Sequence, residues 1–276
     1  MQDRRGNKEI RMPEVITSPS NSTIKNIKSL LYKKYREVHG QYIVEGEKTV
    51  LEALVSDSTL DMIVFSETYN HYPVLQAVNP GIQCFRVKEQ IFKQLSDTQS
   101  PQGVLAVVRQ KKYDLQQAVG QNICFLVILD AIKDPGNLGT IIRTVDAAGG
   151  DGVVLINDCV DPYNPKAVRS TMGSILRVPI YRETKAENLL EIINRAGYHI
   201  AVSDLGGADV FTWRGGYDKT ALVIGSESHG VSEEARVSAH SLIRIPMMGG
   251  AESLNASVAA GILIYEISRK RWKMDR

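Results

Sequence analysis

Cysteine is scarce in this chain, and the little there is excludes most thiol chemistry. Cys84, Cys124 and Cys159 are the only three in 276 residues, far apart and without CxxC spacing. That pattern supplies neither a disulfide framework nor a thiolate metal site, and Cys124 and Cys159, beside apolar runs, read as buried, reduced thiols. Long hydrophobic runs are missing as well: none reaches the roughly 18–20 apolar residues that a membrane span needs. The polar opening, residues 1–12, has no signal-peptide core and reads as a disordered tail. The expectation is a cytoplasmic protein with no membrane partner.

Common catalytic signatures are absent too. There is no GxGxxG dinucleotide fingerprint and no GxxxxGK(S/T) phosphate loop. Metal-ligand spacing is lacking, as is a GxSxG nucleophile elbow, so no metal is expected. Net charge is only +2, which argues neither for nor against a polyanionic partner; the local distribution of charge decides that.

What is present is enough apolar material for a sizeable core: 43% hydrophobic residues against 23% charged. The first part, residues 13–108, reads as a small α/β module. Ser22 can cap a helix running toward Val38, with Ile24, Ile27, Leu31 and Tyr35 on one stripe and Gly40 at its end. Strands follow at 41–46, 62–66, 82–87 and 103–108, with helices at 47–55 and 88–95. Such alternation implies layers about a mostly parallel sheet.

A polar interval at 109–121 reads as a linker. The second part, residues 122–276, repeats the alternation. Strands are expected at 123–129, 152–157, 198–203, 221–225 and 242–247. Helices are expected at 137–148, 166–177, 186–196, shortly after Ser232, and from Ser253 to about Lys273.

Three segments of this second part carry the chemical interest: 129–143 (LDAIKDPGNLGTIIR), 223–234 (VIGSESHGVSEE) and 245–259 (IPMMGGAESLNASVA). Each ends an apolar strand and switches to glycine, small polar residues and an isolated charge, as an α/β fold does at a site on its strand ends. In the first, Asp134-Pro135-Gly136-Asn137 is a strong turn, and Asn137 can cap the helix that bears Arg143. Judged alone, Arg143 reads first as a helix arginine that snorkels or pairs with a carboxylate. In the second, Gly225 would let a planar ligand lie against the backbone, and Glu227 could accept hydrogen bonds. His229 reads as a solvated loop histidine. In the third, Gly249-Gly250 turns the chain and Ser253-Leu254-Asn255 opens the last helix, whose face Ala256, Ala259, Ala260 and Gly261 is small. Its first-turn N–H groups suit an anionic group.

In order, the three segments resemble the signature motifs of the SpoU-type RNA ribose 2′-O-methyltransferases of the SPOUT superfamily, over about 123–271. Residues 24–46, with Tyr42-Ile43-Val44-Glu45-Gly46, are similar to the substrate-binding domain that precedes the catalytic part in many members. The resemblance implies an α/β fold with a C-terminal trefoil-knotted methyltransferase domain, a homodimer, S-adenosylmethionine as cofactor and an RNA substrate. Ribosomal RNA ranks ahead of transfer RNA, and a non-catalytic RNA-binding protein of the same fold is the alternative from another class. It further implies catalytic positions at Asn137, Arg143, Glu227, Ser253 and Asn255, and cofactor contacts at Gly225, Ile245, Met247 and Leu254. Arg169, within 164–179, becomes a candidate for RNA phosphate. One departure is visible: Ser226 and Ser228 flank Glu227 where the family has asparagine and glycine. Two basic clusters could add phosphate contacts or be solvated helix faces: Lys25, Lys28, Lys33, Lys34 and Arg36 early, and Arg269, Lys270, Arg271, Lys273 and Arg276 late.

Overall fold

A computed structural model describes residues 14–56, 59–70, 72–79, 81–121, 123–182, 186–215, 218–227 and 229–274; the tail expected at 1–12 lies outside them. The chain divides into two compact units between Gln110 and Lys111.

The first unit comprises β1 (Val15–Ile16), α1 (Ser22–Ser29), α2 (Lys33–His39), β2 (Gln41–Glu45), α3 (Glu47–Val55), β3 (Leu60–Ser66), α4 (Tyr72–Ala77), β4 (Gln83–Val87), α5 (Glu89–Leu95) and β5 (Val104–Arg109). Its sheet order is β1-β4-β3-β5-β2. The sheet is mixed, not mostly parallel. Helical crossovers keep β2, β3 and β4 in one direction, but β5 inserts between β2 and β3 antiparallel to both. Ile24, Ile27 and Leu30 pack with Ile91, Phe92 and Leu95 over one sheet face.

The single helix expected from Ser22 to Val38 is two helices. Asn21, not Ser22, caps the first, its Oδ1 accepting the N–H groups of Thr23 and Ile24. The chain then turns so that Leu30 joins the core, and Arg36 donates to the Leu30 carbonyl at 2.8 Å. Tyr35 is thereby turned outward. Gly40 ends α2 in the left-handed region, at φ 60°.

In the second unit, the interval expected as a linker holds α6 (Leu115–Val119). Asp114 caps it, and Leu115, Ala118 and Val119 are buried: three apolar residues at i, i+3 and i+4 suffice for one buried turn. Then come β6 (Phe125–Asp130), α7 (Pro135–Ala147), β7 (Gly152–Ile156), α8 (Pro165–Ser170), a 3-10 turn (Ser174–Leu176), β8 (Ile180–Arg182) and α9 (Ala186–Arg195). They are followed by β9 (His199–Asp209), β10 (Thr220–Ile224), α10 (Glu233–Val237), β11 (Ser241–Arg244) and α11 (Ala256–Met274). The helix expected to reach residue 177 stops early because Met172 and Gly173 adopt positive φ.

All five strand pairings in the order β11-β9-β10-β6-β7-β8 are parallel. Leu126, Ile128, Ala221 and Val223 face a core shared with α6, α9 and α10. Their alternates Phe125, Val127 and Leu129 face the other side, where α7 packs against α8 and α11. Gly139 allows that closeness, since a Cβ there would lie 2.3 Å from the Ala167 carbonyl oxygen. The neighbours β6 and β10 therefore send their following helices to opposite faces. This is the topological switch at which a parallel sheet opens a crevice. Cys124 and Cys159, expected to be buried, are only partly so, and no disulfide joins the three cysteines.

Candidate functional site

The loops leaving β6 and β10 and the segment entering α11 meet at this crevice. Asp134, not Asn137, caps α7: its Oδ1 accepts the Asn137 N–H at 2.8 Å, and Pro135 occupies a first-turn position that needs no donor. The Asn137 N–H, with help from Lys166 3.2 Å away, holds the Asp134 carboxyl below the usual carboxylate range. Asn137 thus keeps its side-chain amide for another partner.

That partner is the second loop. Asn137 Nδ2 donates to Glu227 Oε1 at 2.6 Å, and the same oxygen accepts the Ala256 N–H at 3.2 Å. Asn255 Nδ2 donates to Asn137 Oδ1 at 3.0 Å and reaches Glu227 Oε1 at 3.5 Å. Asn255 Oδ1 meanwhile caps α11, accepting the N–H groups of Ser257 and Val258. One residue from each glycine-punctuated segment therefore joins a single hydrogen-bonded network. Ser253 is no cap; it stays in the loop, which leaves it on the wall of the adjacent cleft.

The cleft has a volume of about 410 Å³, which suits a nucleoside-sized ligand. Gly225, Ile245, Met247 and Leu254 all line it, together with Glu227, Ser253 and the apolar side chains of Leu205, Ile224 and Val231. Gly225 has a reason other than ligand approach. The loop curls so that the backbones of Ser226 and Gly230 exchange hydrogen bonds, and a Cβ at 225 would lie 2.1 Å from the Gly230 carbonyl carbon. Gly230 takes φ +67° as the turn requires. His229 is exposed at the rim, and Ser228 lies outside the described residues.

Arg143 stands apart. It is exposed on α7, it is not among the cleft-lining residues, and it makes no hydrogen bond to the network. Six residues of helix carry it about 9 Å along the axis and about 120° around from Asn137.

The basic candidates divide. Lys25 and Lys28 are exposed, Lys28 Nζ donating to Gln94 Oε1 at 3.1 Å, and Arg169 is exposed on α8. Arg36 is not an RNA-facing residue: it is 2% exposed and its guanidinium holds the Leu30 carbonyl. Near the carboxyl end, Arg269 pairs with Glu266, and Lys270 donates to the carbonyls of Val210 and Trp213 at 2.8 and 2.7 Å. Lys270 thereby ties α11 to the segment after β9, while the Arg269 pair lies within the helix. The Lys273 side chain and Arg276 lie outside the description.

Two site-building acids escaped the sequence reading. Asp130, 1% exposed, accepts the Ser232 N–H at 2.7 Å and Asn157 Nδ2 at 2.8 Å, tying the loop after β10 to the loop after β7. A single acid closing five apolar residues was its only signal. Asp134 could have been found, because aspartate directly before proline is a good cap sequence. Among the described residues no cluster of three His, Cys, Asp or Glu could hold a metal ion.

Comparison with known proteins converges on one family. Residues 124–265 match the SpoU rRNA Methylase family, and residues 21–106 match the MRM3-like substrate binding domain. The chain is 33% identical to the 23S rRNA (guanosine(2553)-2′-O)-methyltransferase RlmP of Bacillus subtilis, over 91% of this chain and 98% of that protein. An AdoMet-bound rRNA methyltransferase from Sinorhizobium meliloti superposes with TM-score 0.84 at 33% identity, covering 93% of this chain and 98% of its own. The SpoU methyltransferase AviRb of Streptomyces viridochromogenes, in complex with AdoMet, gives 0.82 at 27% identity, with 91% and 98% covered.

Proposed function

This chain belongs to the SpoU rRNA methylase family, and on that footing we propose that it methylates a ribose 2′-hydroxyl of ribosomal RNA from S-adenosylmethionine. The observation that carries the proposal is the four-point network of Asn137, Glu227, Asn255 and the Ala256 N–H at the edge of the cleft. The cleft fits the cofactor: its volume is right, and apolar side chains beside backbone at two strand ends suit a nucleoside. Gly225, Ile245, Met247 and Leu254 would hold it. When bound, S-adenosylmethionine supplies a methyl group on a positively charged sulfur that leaves without acid assistance.

The protein's own tasks are alignment and removal of a weakly acidic proton. Glu227, held by three donors, fixes where the loop after β10 sits and orients the ribose with Asn137. A guanidinium offers only donors and no acceptor, so Arg143 is not assigned the role of base. Its planar fork suits an RNA phosphate and the neighbouring ribose, with the hydroxyl proton passing to phosphate oxygen or water.

Arg143 lies away from the network of its own chain, which favours a homodimer that delivers it to the partner's cleft. The long helix α11 supports such pairing: it leaves Val258, Tyr265 and Trp272 exposed at every seventh position. The return of the segment before α11 to the loops after β6 and β10 supports the trefoil knot implied by the family. The proposal includes a cytoplasmic location and, because the sulfonium donor is already a good leaving group, no metal requirement.

The test is tritiated methyl transfer onto total RNA from a strain lacking the enzyme, followed by mapping of the alkali-resistant ribose. Label confined to ribosomal RNA is expected. No transfer, with no micromolar S-adenosylmethionine binding by calorimetry, leaves a non-catalytic RNA-binding protein instead.

A further inference from the structure

The helix α2 is anchored without an apolar face. Of Lys33–His39 only Arg36 is buried, so nothing hydrophobic docks the helix against the core. Its outer surface is nevertheless not simply polar. Tyr32 is 63% exposed, Tyr35 42% and Val38 70%. Positions 32, 35 and 39 fall on one side of the helix. There the Tyr35 and His39 rings lie near-parallel, 12° apart, with centroids separated by 6.4 Å. Lys34 Nζ sits 5.9 Å from the Tyr35 ring centre. Among the described residues Lys33 pairs with Glu37 at an exposed 3.8 Å, a contact too weak to neutralise its charge.

Charge is concentrated here too. Residues 22–39 hold five Lys or Arg against one Glu, while the whole chain is only +2, so everything outside this stretch is net negative. Exposed rings interleaved with cations are the combination that stacks nucleobases while neutralising phosphates. A continuous RNA duplex keeps its base faces stacked on one another, so flat rings find nothing to stack on.

We propose that α2 is a platform for unpaired RNA bases, with Tyr32 and Tyr35 stacking on base faces and Lys33 and Lys34 holding the adjoining phosphates. This rests on the reading of the chain as an RNA-modifying enzyme and specifies its substrate: a loop, bulge or single-stranded segment instead of an uninterrupted helix.

The experiment measures affinity of the full-length protein for a labelled single-stranded oligoribonucleotide and for its blunt-ended duplex, across a salt series. Tyr32→Ala with Tyr35→Ala is expected to weaken single-strand binding by at least about fivefold, the minimum for losing one stacked base. Duplex binding and the salt slope should not change, because no charge is removed. Tyr35→Phe keeps the ring and should bind as the parent does. Lys33→Ala with Lys34→Ala should flatten the salt slope on both RNAs. Unchanged single-strand affinity in the double tyrosine variant overturns the inference, as does equal loss on duplex or absence of RNA binding by the parent. Methyl transfer and S-adenosylmethionine binding are read separately. Tyrosine-dependent RNA binding without either would sink the enzymatic reading and leave this one standing.

Discussion

Replacing Glu227 by alanine removes the oxygen on which Asn137, Asn255 and Ala256 converge. That oxygen lies 2.6 Å from Asn137 Nδ2, 3.2 Å from the Ala256 nitrogen and 3.5 Å from Asn255 Nδ2. Hydrogen bonds to a charged group contribute about 1.5–3 kcal/mol each where water is excluded. Glu227 and Asn255 are exposed, so water competes for the same groups, and the net loss of folding stability is about 1 kcal/mol. In a unit of this size that lowers Tm by about 2–4 °C. Turnover should respond far more strongly. A loop freed from its anchor misplaces the ribose by an ångström or so, and such an error costs about a hundredfold in rate. The assay pairs methyl transfer onto unmethylated ribosomal RNA with a calorimetric melt. Glu227→Gln keeps an acceptor oxygen in place and should recover turnover to within about tenfold of the parent. Parental turnover in Glu227→Ala would refute the argument, and a Tm loss above about 10 °C would show that the residue is structural.

Three further outcomes are expected. Mixing Arg143→Ala with Glu227→Ala, each strongly impaired alone, should restore about a quarter of parental activity, since random pairing leaves one complete site in each mixed dimer; no recovery would show that Arg143 serves its own chain or no site. Tyr265→Glu with Trp272→Glu on α11 should give a monomer by sedimentation, with methyl transfer lost; a dimer that persists would remove this helix from the interface. Burial first, and the nearby His240 ring second, hold the His199 imidazole below its ordinary 6.5. The unfolded chain then takes up a proton before the native one does, so stability is full above about pH 6.5 and declines as pH falls below it. His199→Gln should flatten that decline in a Tm-versus-pH series, and an identical slope in both proteins would assign it to other groups.

The parts of this fold that were legible in sequence were those written in apolar periodicity. β2, β6 and β10 are each built on an apolar run (42–44, 123–129 and 221–224), and they lie within a residue or two of where the pattern puts them. The glycine-punctuated strand ends were equally plain, and the network that draws Asn137, Glu227 and Asn255 together gives their order a physical meaning. Two kinds of information were hidden. The first is which end of a charged side chain matters: Arg36 looked like its lysine neighbours, yet it has an internal carbonyl to hold. The second is the identity of a cap within a polar turn. Asp134, Asn137, Ser253 and Asn255 are all competent caps, and only the course of the chain settled that Asp134 and Asn255 do the capping. The reversed strand β5 was invisible for a related reason, because an apolar run carries no sign of its direction.

The bond between Asn137 and Asn255 spans 118 positions, and this fixes when during its own synthesis the enzyme can first act. At about 5–20 residues per second, a ribosome needs roughly 6–24 s to travel from one asparagine to the other. Until the later one emerges and its helix docks, the earlier motifs have nothing to close against. On the role proposed for this network, a half-made polypeptide, still attached to the very kind of particle whose RNA it is to modify, is catalytically silent. Docking of α11 completes that network and has to precede the pairing of two chains proposed above.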